Sequence, residues 1–135
     1  MKPRPGCAAP AGANGIGAAP SQRRGAAAED RACAFLIQCG LQIAARNVRY
    51  RAGEIDLVAK DGDTWVFVEV RSRARPGDAI ASIDARKRGK IRRAAQLYLL
   101  GRFGDRWPPC RFDVMVVGDG RIEWLPSAFT GEEEW

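Results

Sequence analysis

The 135-residue chain predicts a mixed α/β domain, with helices packed on a central mixed sheet in the order α-β-β-β-α-β-β. Three observations lead there. Residues 21–39 and 82–100 repeat apolar side chains at steps of three and four, the period of an amphipathic helix. Between them, "GEIDLVAKDGDTWVFVEVRSR" alternates in character and folds back at Asp61-Gly62, a strong hairpin signal. Beyond the second helix, "RFDVMVVG" and "RIEWLP" flank the turn "GDG" and suggest two more strands. The length suits one domain, and an apolar fraction of 46% is in the ordinary globular range.

The elements follow in order. Residues 1–20 carry four Pro, four Gly and no acid, too little apolar surface to offset the entropy of ordering, so this segment is expected to be disordered. It lacks the apolar core of a secretory signal, although it shares the Arg- and Ala-rich, acid-free character of organelle transit peptides. The folded domain is expected at 21–130, followed by the acidic tail "GEEEW" at 131–135. In the first helix Ser21 is a candidate N-cap and Gly40 the stop, with Ala32, Cys33 and Leu36 on the inner stripe. Glu29 falls on that same stripe; it either marks the edge of the stripe near the helix N-terminus or has a task there.

"LQIAARNVRY" suggests the first strand. With Asp61-Gly62 as a two-residue loop, Ile55, Leu57 and Ala59 share a face with Val66, Val68 and Val70. The opposite face collects Glu54, Asp56, Val58 and Lys60 with Trp65, Phe67, Glu69 and Arg71, setting Glu54 opposite Glu69 and Asp56 diagonal to it. Like charges so close destabilise a sheet unless a cation or a raised pKa relieves them. Two explanations remain open: a hard divalent ion such as Mg²⁺ on the carboxylates, or neutralisation of a wet face by Lys60 and Arg71. "SRARPGDAIA" follows as a basic loop. Ser82 is the candidate cap of a helix to about Leu100, in which Lys87 lies on the inner stripe and Gly89 weakens the local helix.

The net charge of +6 is concentrated: Arg71 to Arg93 holds nine Lys/Arg against two Asp, a local net of +7. Such a block suits a polyanion, nucleic acid before an anionic membrane, or is a solvated helix face. Cysteines stand at 7, 33, 39 and 110 with no C-x-x-C pair, and a spacing of six does not put Cys33 and Cys39 on one helix face. They are expected to be reduced thiols of a cytoplasmic protein. The chain contains no histidine, which excludes Ser-His-Asp and Cys-His mechanisms and every His-based metal site.

An acid on one strand, a hairpin, and an acid-x-basic triplet ending an apolar strand resemble the PD-(D/E)xK nuclease superfamily, whose fold is that of restriction endonucleases. More closely, "GEIDLVAKDGDTWVFVEVRSR", Arg46-Asn47, Lys87 with the "AAQLYL" after it, and Arg111-Phe112-Asp113 are similar to the YraN family of bacterial proteins, over residues 25 to 129. The resemblance implies a restriction-endonuclease-like core and metal-dependent cleavage of phosphodiester bonds in structured or branched DNA, as in related Holliday-junction resolvases. It assigns metal binding to Asp56 and Glu69 and, after the resolvases, to Glu29. It assigns catalysis to Asp56, Glu69, Arg71 and Lys87, with Mg²⁺ or Mn²⁺ as cofactor and no organic cofactor or membrane. Arg73, Arg75, Arg86, Lys87, Arg88 and Lys90 would meet phosphates. By the same analogy the partner is DNA and a homodimer would serve paired cuts.

Arg71 stands where the superfamily usually has lysine. A guanidinium offsets charge but accepts no proton at ordinary pH. The metal alone, or Lys87, would then have to activate water. The competing expectation is a protein of the same fold that binds nucleic acid without cleaving it; a third is a scaffold whose charged faces are only solvated.

Overall fold

The computed structural model describes residues 20–72 and 76–129. The expectations for residues 1–19 and 130–135, and those placed on Arg73 and Arg75, lie outside the described residues. The elements are α1 (Pro20–Gln38), β1 (Gln42–Tyr50), β2 (Gly53–Asp61), β3 (Thr64–Ser72), α2 (Pro76–Ala81), α3 (Ala85–Phe103), β4 (Cys110–Gly118) and β5 (Arg121–Phe129). The five strands form one sheet in sequence order, antiparallel throughout except for the parallel pair β3–β4. That parallel step requires a crossover, and α2 and α3 supply it. The domain is therefore mixed α/β, with one helix more than the sequence predicts. The addition is α2, only six residues long, inside the segment read as a loop. No helix among the described residues is long and apolar enough to cross a membrane.

Both faces of the sheet are covered, which gives two core layers. Under α1 lie Ala32, Phe35 and Leu36 with Leu57, Ala59, Val66, Val68, Met115 and Val117. Under α3 lie Ile91, Ala94, Ala95 and Leu99 with Val58, Trp65, Phe67, Phe112, Val114 and Phe129. The face of the hairpin that collects the charged residues is thus an aromatic core around Val58, Trp65 and Phe67, with Lys60 at its turn end and Glu69 and Arg71 at its far end.

Each helix ends as its residues dictate. The α1 backbone closes with Leu41 N–H donating to the Leu36 carbonyl (3.0 Å) and Gly40 N–H to that of Ile37 (2.9 Å), Gly40 at φ 95°. This is a Schellman motif, completed by Leu36 and Leu41 in one apolar cluster. Ser21 falls inside α1, which starts at Pro20, rather than before it. Cys33 and Cys39 are both buried in the α1-side core, because the cap turns Cys39 inward beyond the last helical residue. The cap of α3 is Asp84, not Ser82: its carboxylate accepts the Lys87 N–H at 2.9 Å, whereas the Ser82 hydroxyl donates to the Ala79 carbonyl where α2 ends. Arg92, within the basic Arg71–Arg93 block, is 1% exposed, its guanidinium 5.7 Å from the Phe129 ring centroid.

The β2–β3 hairpin pairs Asp61 with Thr64 and Leu57 with Val68, so its loop is Gly62-Asp63, one residue later than expected. The parity of the register is unchanged, and the faces survive except at Ile55. Ile55 packs with Val58 on the α3 side, although strict alternation places residues three apart on opposite faces. In β1, Ala45 and Val48 break alternation in the same way. The pairs Arg46–Leu57 and Val48–Ile55 bracket Asn47 and Asp56, so both strands invert at one level. Asn47 has φ 52°, a left-handed conformation that asparagine tolerates better than most residues. This inversion positions the site.

Candidate functional site

At the inversion β2 turns away from β3. The ladder between them ends at Leu57–Val68, and the next N–H of β3 that would seek a partner, that of Val70, donates to Asp56 Oδ2 at 2.8 Å. A carboxylate thus replaces a backbone carbonyl. The displaced loop also changes which acid meets Glu69. Glu54, expected opposite Glu69, is exposed and pairs with Arg49 at 3.1 Å. Asp56 shares a hydrogen bond with Glu69 instead.

The pair is largely buried, the Glu69 side chain being 8% exposed. Burial raises the Glu69 pKa to about 7, and the Asp56 charge adds to the effect, against the opposing pull of Lys87 and Arg71. Burial also raises that of Asp56, opposed by the Val70 N–H, the hydrogen bond with Glu69, and the two cations. One proton is therefore held between the two carboxyls near neutral pH, as two acids in one dry site require.

Two cations converge on a single oxygen. Arg71 Nη2 lies 3.2 Å and Lys87 Nζ 3.8 Å from Glu69 Oε2. Arg71 arrives from two residues along β3, and Lys87 from the first turn of α3, which the Asp84 cap anchors. Arg71 Nε is buried and has no hydrogen-bond partner among the described residues. A buried donor of this kind costs free energy unless an acceptor reaches it. Lys87 is half-exposed rather than part of the inner stripe, because α3 begins where the stripe meets the strand ends.

Glu29 stands apart. Its carboxylate lies 3.7 Å from Arg46 Nη2 and accepts from the Asn47 side chain, while Arg46 pairs more closely with Asp30, at 2.7 Å. The Asp56 charge reaches Glu29 and, after burial, is the second cause that raises its pKa. Among the described residues no three carboxylates or thiols gather closely enough to hold a metal ion. The structure thus brings Asp56, Glu69, Arg71 and Lys87 together and leaves Glu29 beside them. Arg86, Arg88 and Lys90 lie on the same first turns of α3; Arg88 donates from Nε to the Ile83 carbonyl, so it braces the start of the helix.

A second charged cluster lies farther along the sheet. Arg111 bridges Asp61 (3.3 Å) and Asp113 (3.1 Å), and Asp113 also accepts from Trp124 Nε1 (2.8 Å) and the Ser127 N–H (2.9 Å). Asp113 is fully buried, with its acceptor capacity used on neighbours that anchor β5. Its task is to fasten the edge strand where Ser127 adopts φ 52°.

Residues 28–117 match the family described as Uncharacterised protein family UPF0102. The chain belongs to family UPF0102. A UPF0102 protein of Bordetella petrii is 51% identical over 127 residues, covering 90% of this chain and 78% of the relative. One from Cupriavidus metallidurans is 49% identical over 83% of this chain and 84% of its own. One from Dechloromonas aromatica is 47% identical over 82% and 91%. The UPF0102 match contains Glu29, Asp56, Glu69, Arg71 and Lys87, and equally the Arg111–Asp113 fastening.

Residues the sequence reading did not single out are Tyr50 and Arg51, which close a cavity beside Lys87. Their only signal is position, in the tight connection between β1 and the Gly53 that opens β2.

Proposed function

We propose that this UPF0102 protein hydrolyses phosphodiester bonds of structured or branched DNA with a divalent cation, Mg²⁺ or Mn²⁺, held by Asp56 and Glu69. The observation that carries this is the buried Asp56–Glu69 hydrogen bond with two cations on its flank. Two carboxylates are a fitting donor set for a hard ion that keeps several waters, and the unpartnered Arg71 Nε is a donor awaiting an anionic oxygen. When bound, the cation supplies Lewis-acid polarisation of the phosphodiester and acidification of water.

The chain's own groups have separable tasks. Asp56 is held by the Val70 N–H and by its hydrogen bond with Glu69, so the carboxylate pair is preset before the moment of reaction. Glu69 and Asp56 would hold the cation once the proton they share has passed to solvent. Arg71, permanently charged, orients a phosphate oxygen but takes no proton. Lys87, on the same carboxylate oxygen, offsets the charge that builds on phosphorus and stands in for the lysine that Arg71 replaces. The basic start of α3 then positions the strand through phosphates, without reading sequence. Paired cuts across a junction need two such sites, so a homodimer belongs to the same proposal. The buried free thiol of Cys33 fits a reducing compartment such as the cytoplasm.

A second reading, binding without cleavage, is favoured by Arg71, whose guanidinium is committed to Glu69. End-labelled four-way junction, fork, single-stranded and linear DNA, each with Mg²⁺, Mn²⁺ or EDTA, separate the two. Cleavage that needs the metal and is lost in the Asp56→Asn, Glu69→Gln double variant supports hydrolysis. Cleavage that survives the double variant refutes the assigned site, and salt-sensitive binding without cleavage favours the second reading.

A further inference from the structure

Beside the carboxylate pair, the connection Tyr50–Gly53 and the first turns of α3 enclose a cavity of about 310 Å³. Its charge is uneven. Arg51, Lys87 and Lys90 line it, and the one acid on its wall, Glu54, is paired with Arg49 outside it. Tyr50 adds an aromatic ring, half-buried against the α3-side core. Lys87 belongs to both places: it lines the cavity and reaches Glu69 at 3.8 Å.

The cavity is built into the fold. A Cβ on Gly53 would lie 2.3 Å from the Lys90 carbonyl oxygen, closer than any side chain permits. Only glycine lets the strand connection press against α3 here, and Gly53 and Lys90 both line the cavity. Its volume is at the lower end of ligand pockets, roughly 300–1,000 Å³. It admits one nucleotide-sized group and not a base pair.

We infer that this cavity is a subsite for a single unpaired nucleotide next to the cleaved bond, its base against Tyr50 and its phosphate on Arg51 and Lys90. The inference rests on the proposed hydrolysis at Asp56 and Glu69 and names its substrate class: DNA with an unpaired nucleotide or strand end at the cut. An aromatic face beside basic side chains is how proteins hold single strands without reading sequence. Lys87, on the shared wall, would link occupancy of the cavity to the charge on Glu69.

The test does not require cleavage. Fluorescence anisotropy in EDTA compares a labelled 5′-phosphorylated single strand with a blunt duplex of equal length. The wild-type protein binds the single strand more tightly. Arg51→Ala, an exposed change that spares the core, weakens single-strand binding about tenfold, and Tyr50→Leu, checked for folding by circular dichroism, does so by a similar factor. Equal affinity for the blunt duplex, or unchanged single-strand binding in Arg51→Ala, overturns the subsite. If no substrate is cleaved with any metal but these preferences hold, the hydrolysis fails and the subsite stands. If junctions are cut equally fast with and without an unpaired nucleotide, and Arg51→Ala cuts like wild type, the subsite fails and the hydrolysis stands.

Discussion

Glu69→Gln, studied without metal, isolates the strain stored at the site. Folding raises the Glu69 pKa from 4.5 to about 7. The folded protein therefore holds a proton that the unfolded chain releases between those values. The stabilising contribution is complete below about pH 4.5 and is lost as pH rises through about 7. The size follows from the shift: on the order of 3 kcal/mol in all, with little discount for solvent because the side chain is 8% exposed. Glutamine keeps the hydrogen bond to Asp56 and removes the titration. Urea unfolding in EDTA at about pH 5 and about pH 8 measures the effect for both proteins. Whatever the substitution does at the lower pH, the variant should gain about 3 kcal/mol on wild type by the higher one. Millimolar Mg²⁺ should restore most of the wild-type loss, because binding to the folded state alone stabilises it. Parallel pH profiles in EDTA would refute the picture of two carboxyls forced together by burial.

Three further outcomes are expected. Lys87→Met should lower the rate of metal-dependent cleavage about a hundredfold or more, whereas Arg71→Lys should stay within about tenfold of wild type, as single-turnover assays would reveal. Gly53→Ala should lower the urea midpoint by an amount worth about 1–3 kcal/mol, since the new methyl meets the Lys90 carbonyl. Asp113→Ala should destabilise the fold by about 3–5 kcal/mol, because Arg111 loses one of the two carboxylates it bridges and the Trp124 and Ser127 donors lose their acceptor.

Much of the fold was legible because its signals are local. The period of α1, the Gly40 stop and the alternation in β2 and β3 each depend on neighbours within a few residues. The failures are equally physical. Asp61-Gly62 and Gly62-Asp63 are both acceptable turns, and only the sheet chooses between them; parity protected the faces, but the choice exchanged Glu54 for Asp56 as the partner of Glu69. The inversion at Asn47 and Asp56 was invisible, since nothing in alternating residues announces a left-handed asparagine; it carried Ile55 to the other core. Helix α2 is too short to show a period. Arg92 looks like its basic neighbours, and its place beside the Phe129 ring of a distant strand emerges only in the fold. In the site, the carboxylates betrayed themselves as acids beside the most apolar segment. Tyr50 and Arg51 did not, because the cavity they close exists only once β1 meets α3.

The most direct test is isothermal titration of Mn²⁺ into the wild-type protein and into Asp56→Asn and Glu69→Gln, at about pH 6.5, where the shared proton is still mostly bound, and without nucleic acid, so that the choice of substrate has no influence. One Mn²⁺ per chain, with proton release as the shared proton leaves Glu69, and loss of binding in both variants are the expected results. Absence of binding to the wild type, or binding that persists in both variants, would contradict a cation site on Asp56 and Glu69.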